Sequence, residues 1–527
     1  MSESYLQHQG KYKGIRAWIF ATDHKRIGLL YLYVIATFFF SSVVLGLVMR
    51  IELAAPGPTI INAQTYNALF TVHGVIMIFI VVIPGLSVVF GNFFLPLLIG
   101  AKDVAFPKLN RFSWWLFMTG SILAVASLFM GSGPPDTGWT FYAPYSTTTG
   151  TNVVMATTAV TILGFSSILT GLNFLVTIHQ LRAPGMKFFK MPLFVWAIYS
   201  TAWIQLLATP IIGITLVMII AERVFGIGFF NPDLGGDPLL FQHLFWIYSH
   251  PAVYIMILPA MGVATEIIPT FCQRKVFGYK AIAFSSLAIA LVGFFVWGHH
   301  MFTSGMSETA RWFFSLLTFI VAVPSAIKVF NWLATMYKGS IDMKPPFLYA
   351  LAFVFLFTLG GLTGLIQGAV AANIHIHDTL FIVAHFHYII FGGMGFAFFG
   401  ALHYWLPKMY GRMYDLKRAT IAWGVLFIGF NVMFFPQFIL GMQGLPRRYF
   451  DYLPQYQPGH VVATTGAFIL VTGLILMVAN LVQGARKGAP APANPWNGTT
   501  LEWQVQSPPA VENFEEVPVV AETPYEY

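Results

Sequence analysis

FIVAHFHYIIF, residues 381–391, sets two histidines one residue apart within an apolar stretch of membrane-spanning length. Apolar runs of about 20 residues cross a bilayer as helices, and an imidazole in hydrocarbon needs a partner. A helix turns about 100° per residue, so His385 and His387 point about 200° apart, to nearly opposite faces. That spacing does not serve one metal ion. It serves two cofactors, one on each side of a helix that acts as a partition.

The rest of the chain follows the same plan. Of 527 residues, 57% are hydrophobic and 9% charged, against about 25% charged in an ordinary soluble domain. So few charges could not coat a soluble surface of this size. Twelve apolar runs are long enough to span, near 27–49, 70–99, 113–132, 154–178, 193–221, 240–270, 281–302, 313–337, 347–372, 379–406, 419–444 and 461–484. The expected fold class is an all-α polytopic membrane protein with twelve transmembrane helices. Cytoplasmic loops retain lysine and arginine. With the N-terminus inside, Arg50, Arg223, Arg311, Arg447 and Arg448 fall outside and Lys328 within a span; the other basic residues, of 28 in all, lie in inner segments. Both termini are then cytoplasmic. The net charge of +8 reflects this asymmetry, and no nucleic-acid partner is expected. The organisation reads as a cytoplasmic segment 1–26, a helical domain 27–484, and an extended cytoplasmic tail 485–527 lying on the protein surface or on a partner. The polar start, MSESYLQHQGKYKGIRAW, offers no secretory signal. The single cysteine, Cys272, excludes an intrachain disulfide framework and an all-cysteine metal site.

Eight of the 14 histidines fall within or at the edges of spans: His73, His243, His250, His299, His300, His385, His387 and His403. Several neutral imidazoles in a dry bundle are what a transition-metal or haem site needs. In WGHHMF, 297–302, His299 and His300 converge on one ion only if the helix is distorted there. His250, in YSHPAVY, is the candidate third ligand of a site suited to copper or zinc. Tyr254 lies one turn along the same face, and Pro251 is expected to loosen the helix locally.

At these residues the chain resembles subunit I of the haem–copper oxidases, the terminal oxidases of aerobic respiration. The resemblance runs through FTVHGVIMIF, QHLFWIYSHPAVYIMILP, VWGHHMF, VPSAIKVFNW, HDTLFIVAHFHY and GLPRRYFDY, over roughly residues 15–485. It implies that His73 and His387 are axial ligands of a low-spin haem and His385 the proximal ligand of a high-spin haem. His250, His299 and His300 then correspond to the copper ligands. Tyr254 matches an active-site tyrosine joined covalently to the imidazole at position 250. The implied reaction reduces dioxygen to water, with two electrons from iron, one from copper and one, with a proton, from the tyrosine. Arg447 and Arg448 match residues on the haem propionates, for which arginine forks are suited. Arg50 matches the arginine at the formyl group of haem A. Glu52 matches a peripheral calcium or sodium ligand, and His377 and Asp378 match magnesium ligands.

The resemblance also implies two proton routes. One runs through Lys328, the only lysine deep in a span, with Thr265, Ser325, Thr363 and Tyr254 supplying hydroxyls. The other begins at Asp103, with Asn92 and Asn110 at matching positions. The common HPEVY motif carries a relaying glutamate where this chain has Ala252. Tyr248 precedes that position by one helical turn, and Tyr248 with Ser249 are expected to take over the relay. Nitric oxide reductases are expected to lack the counterparts of Tyr254 and Lys328. A quinol-oxidising enzyme of the same family is the alternative: Gln64 and Asn67 precede the FTVHG motif, but Thr65 and Ala68 stand where its quinone-site pair is expected. The implied partners are cytochrome c or a similar carrier, a subunit II bearing dinuclear copper, subunit III and small subunits. The expected location is a bacterial cytoplasmic membrane. A redox-free secondary transporter would leave the converging histidines unexplained.

Overall fold

Hydrocarbon offers a backbone amide no partner but its own chain, so a sequence this apolar satisfies its amides within helices. The computed structural model describes residues 3–8 and 12–527. Among the described residues it is helical throughout, with isolated bridges and no strand. In chain order the long helices are α1 (His24–Glu52), α2 (Ala63–Ile99), α3 (Pro107–Ala126), α4 (Val153–Gln180), α5 (Leu193–Phe225) and α6 (Pro238–Cys272). They continue as α7 (Tyr279–Gly293), α8 (Glu308–Met336), α9 (Pro345–Gly368), α10 (Leu380–Tyr410), α11 (Leu416–Met442) and α12 (Pro454–Lys487). Ten of these are long and apolar enough to cross a membrane. The exceptions are α3, which opens with Lys108 and Arg111, and α7, whose 15 residues reach only about 22 Å.

The structure corrects the expected run 281–302. α7 stops at Gly293, and residues Trp297–Met301 form a separate 3₁₀ turn. Close approach of neighbouring side chains explains the break. A Cβ at Gly293 would lie 2.6 Å from the Tyr254 ring, and one at Gly298 would collide with Phe314. The run expected near 113–132 is displaced too: α3 begins at Pro107 and ends at Ala126. Pro251 does not interrupt α6, which stays α-helical from Pro238 to Cys272; tight packing on both sides outweighs the one amide that proline removes.

Two helices contain π segments, Ile76–Val82 in α2 and Tyr388–Gly395 in α10. α10 packs against α6, α9 and α11, and α1 lies along α2. Small residues bring α11 and α12 together: Gly429 meets the backbone of Leu470, and Gly466 that of Met433.

Both termini sit at one end of the bundle. Of the two expected placements, the tail takes the surface of its own chain at this end, with Trp496, Trp503 and Tyr525 buried. Tyr5 donates its backbone N–H to Pro509 O, Lys408 Nζ donates to Ala493 O, and Tyr525 Oη donates to Glu266 Oε1.

Candidate functional site

α6 and the 3₁₀ turn after α7 bring His250, His299 and His300 together, with ligand nitrogens within 4.8 Å of one another. His250 Nδ1 and His300 Nε2 face each other at 3.0 Å. Thr318 gives its hydroxyl proton to Phe314 O at 2.6 Å, so its oxygen accepts from His299 Nδ1 at 2.9 Å. That tautomer leaves the Nε2 lone pair of His299 free. Trp246 stacks on His300 with centroids 3.7 Å apart and planes 6° from parallel, which fixes the ring. Three neutral imidazoles facing one point suit copper or zinc. The Tyr254 ring lies 4.8 Å from that of His250, whose Nε2 is buried without a protein partner.

His73 and His387 line one internal cavity of about 840 Å³. His73 donates Nδ1–H to Ser42 O at 2.9 Å, and His387 donates its own to Val383 O at 2.8 Å. Both Nε2 atoms are thereby kept as free lone pairs on the cavity, the arrangement of an axial ligand. His385 turns to the other side of α10, towards α9. Its Nδ1–H reaches Thr363 Oγ1 at 3.0 Å, while Thr363 donates to Gly360 O at 2.8 Å. Glycines make room for two of these rings: a Cβ at Gly46 would stand 3.2 Å from His73 Cε1, and one at Gly364 would stand 3.1 Å from His385 Cε1.

The remaining intramembrane histidines differ. His403 also donates to a carbonyl one turn back, Phe399 O at 2.7 Å, but Tyr349 and Tyr414 close over its ring. His243 accepts from Trp297 Nε1 at 3.2 Å. A free nitrogen alone is therefore not the signature: His73 and His387 also face a cavity, and His250 also faces two further imidazoles.

Arg50, Arg447 and Arg448 also line the cavity. Arg447 Nη2 pairs with Asp378 Oδ1 at 2.7 Å while its buried Nε has no protein partner. Burial works to raise the Asp378 carboxyl, yet Arg447 holds it below the usual carboxylate range. Burial, then Arg447, pulls the Arg448 guanidinium down to about 10. Cations crowded beside one carboxylate suit additional anionic groups in the cavity. Arg50 donates from Nη2 to His460 Nδ1 at 2.9 Å, a partner that sequence reasoning missed. His377 lies 3.6 Å from Asp378. Glu52 is fixed by the loop after α1, accepting from the amides of Thr59, Ile60 and Ile61 and from the Thr59 hydroxyl.

Of the Lys328 group, the structure joins the lysine to a residue the sequence did not suggest: Nζ donates to Ser286 Oγ at 2.7 Å. Thr265 accepts from Trp332 Nε1 at 2.9 Å, Ser325 donates to Val321 O, and Thr363 is committed to His385. At the other route, Asp103 sits half-buried at the terminal-bearing end. Burial, then Asp23, pushes its carboxyl up to about 7. The Asn110 amide and Asn92 Oδ1 are buried without protein partners, as in a water-lined passage. Beyond them, Ser113 Oγ lies 2.9 Å from Thr170 and 3.0 Å from Tyr31, a hydroxyl cluster that also escaped sequence reasoning because its members come from α1, α3 and α4. Tyr248 and Ser249 are buried in α6.

Residues 26–469 match the family described as Cytochrome C and Quinol oxidase polypeptide I. Cytochrome c oxidase subunit 1 of Thermostichus vulcanus is 43% identical over 99% of this chain and 95% of that protein. The Cereibacter sphaeroides subunit 1 is 41% identical over 95% of each. A solved haem–copper terminal oxidase dimer shares the fold, with a TM-score of 0.76 at 21% identity over 89% of this chain and 84% of that one. The grouped intramembrane imidazoles and near-complete coverage of these relatives agree: the chain belongs to the Cytochrome C and Quinol oxidase polypeptide I family.

Proposed function

We propose that this chain is the catalytic subunit of a respiratory cytochrome c oxidase, reducing dioxygen to water with coupled proton translocation. The carrying observation is the division of imidazoles by α10. His73 and His387 share the cavity on one side, and His385 turns to the other, each with Nδ1 bonded and Nε2 free. On this reading His73 and His387 hold a low-spin haem, His385 a high-spin haem, and His250, His299 and His300 a copper ion. Bound there, these groups would supply the redox chemistry and the electrons for dioxygen reduction, the haem on His73 and His387 by electron transfer alone. The chain orients the ligands, excludes bulk water and delivers protons, with Tyr254 presenting its phenol beside His250.

Arg50, Arg447 and Arg448 would neutralise and position haem substituents; Arg50 favours haem A. His377 and Asp378 provide two magnesium ligands that a partner chain would complete, and Glu52 marks the peripheral cation position. Thr65 and Ala68 stand where a quinone-site pair is expected, which supports cytochrome c over a quinol as donor. Electrons would arrive through a copper-bearing subunit II, alongside subunit III and small subunits, in a bacterial cytoplasmic membrane. All twelve long helices would serve as spans, α3 and α7 within the shelter of their neighbours, with both termini cytoplasmic.

Lys328 with Ser286 supplies protons from below Tyr254. Asp103, the buried asparagines and the Tyr31–Ser113–Thr170 cluster feed the second route, with Tyr248 and Ser249 at its upper end.

The test is His385→Leu, a non-coordinating replacement, in the purified complex, read by oxygen consumption and a reduced-minus-oxidised spectrum. The expected result is loss of turnover with the low-spin haem bands intact. Turnover that persists with an intact ligand-binding haem would reject the allocation. For the relay, Tyr248→Phe is expected to lower the protons pumped per electron; an unchanged ratio would remove Tyr248 from the route.

A further inference from the structure

The tail places one side chain deep in the base of the bundle. Asn513 is buried, and its backbone has φ +64°, a left-handed conformation that asparagine tolerates better than most residues. Its Nδ2 donates to His24 Nε2 at 2.8 Å, Ala101 O at 2.9 Å and Lys102 O at 3.1 Å. Its Oδ1 accepts from Lys25 Nζ at 2.7 Å. One amide thus ties the start of α1 to the two residues immediately before Asp103. It also fixes His24: with Nε2 accepting from Asn513, Nδ1–H donates to Asn92 O at 2.7 Å. Asn92 is one of the buried asparagines beyond Asp103.

The charged groups around this point are few. Lys25 and Asp23 pair at 2.9 Å across the start of α1, and the His24 amide bonds to the Asp103 carboxylate. Lys102 pairs with Glu512 of the tail at 2.8 Å, out in solvent. Lys25 is also held by Val511 O at 3.0 Å. The tail therefore holds the buried ammonium against Asp23 and itself, so that the lowering pull of Lys25 on the Asp103 carboxyl stays weaker than the raising push of Asp23.

We infer that Asn513 is a positioning residue of the proton intake, the tail completing a mouth that the helices alone leave open. This rests on the Asp103 route proposed above. Without the amide, Lys25 keeps Asp23 and Val511 O but loses its shortest hold and can shift towards Asp103, while water gains access to the carboxyl. Both changes favour the ionised carboxylate.

Asn513→Gly deletes the amide and keeps the left-handed backbone unstrained. In the holoenzyme reconstituted into vesicles, proton uptake during turnover is measured against pH. The apparent pKa of uptake is expected to fall by about half a unit or more, a factor of about three in proton occupancy. Asn513→Asp places a carboxylate beside Lys25 and removes the donor to Ala101 and Lys102, and it too should move the profile. Glu512→Gln cuts only the exposed ion pair and should leave it unchanged. Unaltered profiles in both Asn513 variants, with uptake sharply reduced in Asp103→Asn, would overturn the role of Asn513 and leave the route standing. Uptake at the unmodified rate in Asp103→Asn would overturn the route and the tail's part in it together. Should Asn513→Gly fail to assemble, the Asn513→Asp profile decides alone.

Discussion

Thr318 and Thr363 each spend their own proton on a carbonyl one turn back, which makes their oxygens obligate acceptors for His299 and His385. Two methyl-sized changes test this. Thr363→Val leaves the His385 Nδ1–H without that acceptor and should cost about ten- to a hundredfold in oxygen consumption, the usual effect of losing such a ligand-orienting bond. The spectrum should show a perturbed high-spin haem beside an intact low-spin one. Thr318→Val should act on copper content, measured by elemental analysis, with both haems retained. Ser286→Ala deletes the hydroxyl that accepts from the Lys328 ammonium. It should slow the proton-coupled reduction of the centre, seen by stopped-flow spectroscopy, without changing haem content.

Helix irregularity gathers where ligands are. A π segment follows His73 in α2 and another follows His387 in α10, so both histidines on the shared cavity stand just before one. Such segments cluster at functional sites because one inserted residue re-aims everything beyond it. The 3₁₀ turn at Trp297–Met301 performs the corresponding task for His299 and His300. It depends on Gly298, against which Phe314 packs. Gly298→Ala should therefore lower bound copper, and adding Phe314→Ala should restore it. Failure of the double variant to recover copper would show that the turn is held by something other than this contact.

The whole molecule is strapped at one end by its tail. Glu502 there is fully buried, accepts from Trp405 Nε1 at 3.4 Å, and has its other oxygen without a protein partner. Burial pushes its carboxyl up to about 7. A detached tail would ionise at an ordinary carboxylate pKa, near 4.3. Between those values the docked form binds more protons, so docking is strongest at low pH and weakens as pH rises towards about 7. Amide hydrogen exchange around residues 500–506, corrected for its intrinsic pH dependence, should accelerate over that range. Glu502→Gln should remove the dependence.

Composition and local rotation carried much of this on their own. So few charges in so long a chain allow only a membrane bundle, and a fixed turn per residue sends His385 and His387 to opposite sides wherever α10 lies. The break at Gly298 was legible only as a condition, since adjacent histidines converge on one point if the helix gives way. What decided the break was Phe314, from another helix. The carbonyl of Ser42 beneath His73, the serine on Lys328, the hydroxyl cluster at Ser113 and the asparagine beside Asp103 were beyond reach for the same reason. Their partners lie tens to hundreds of residues away, and local periodicity says which face a side chain takes but not which distant face it meets. Packing alone brings those faces together.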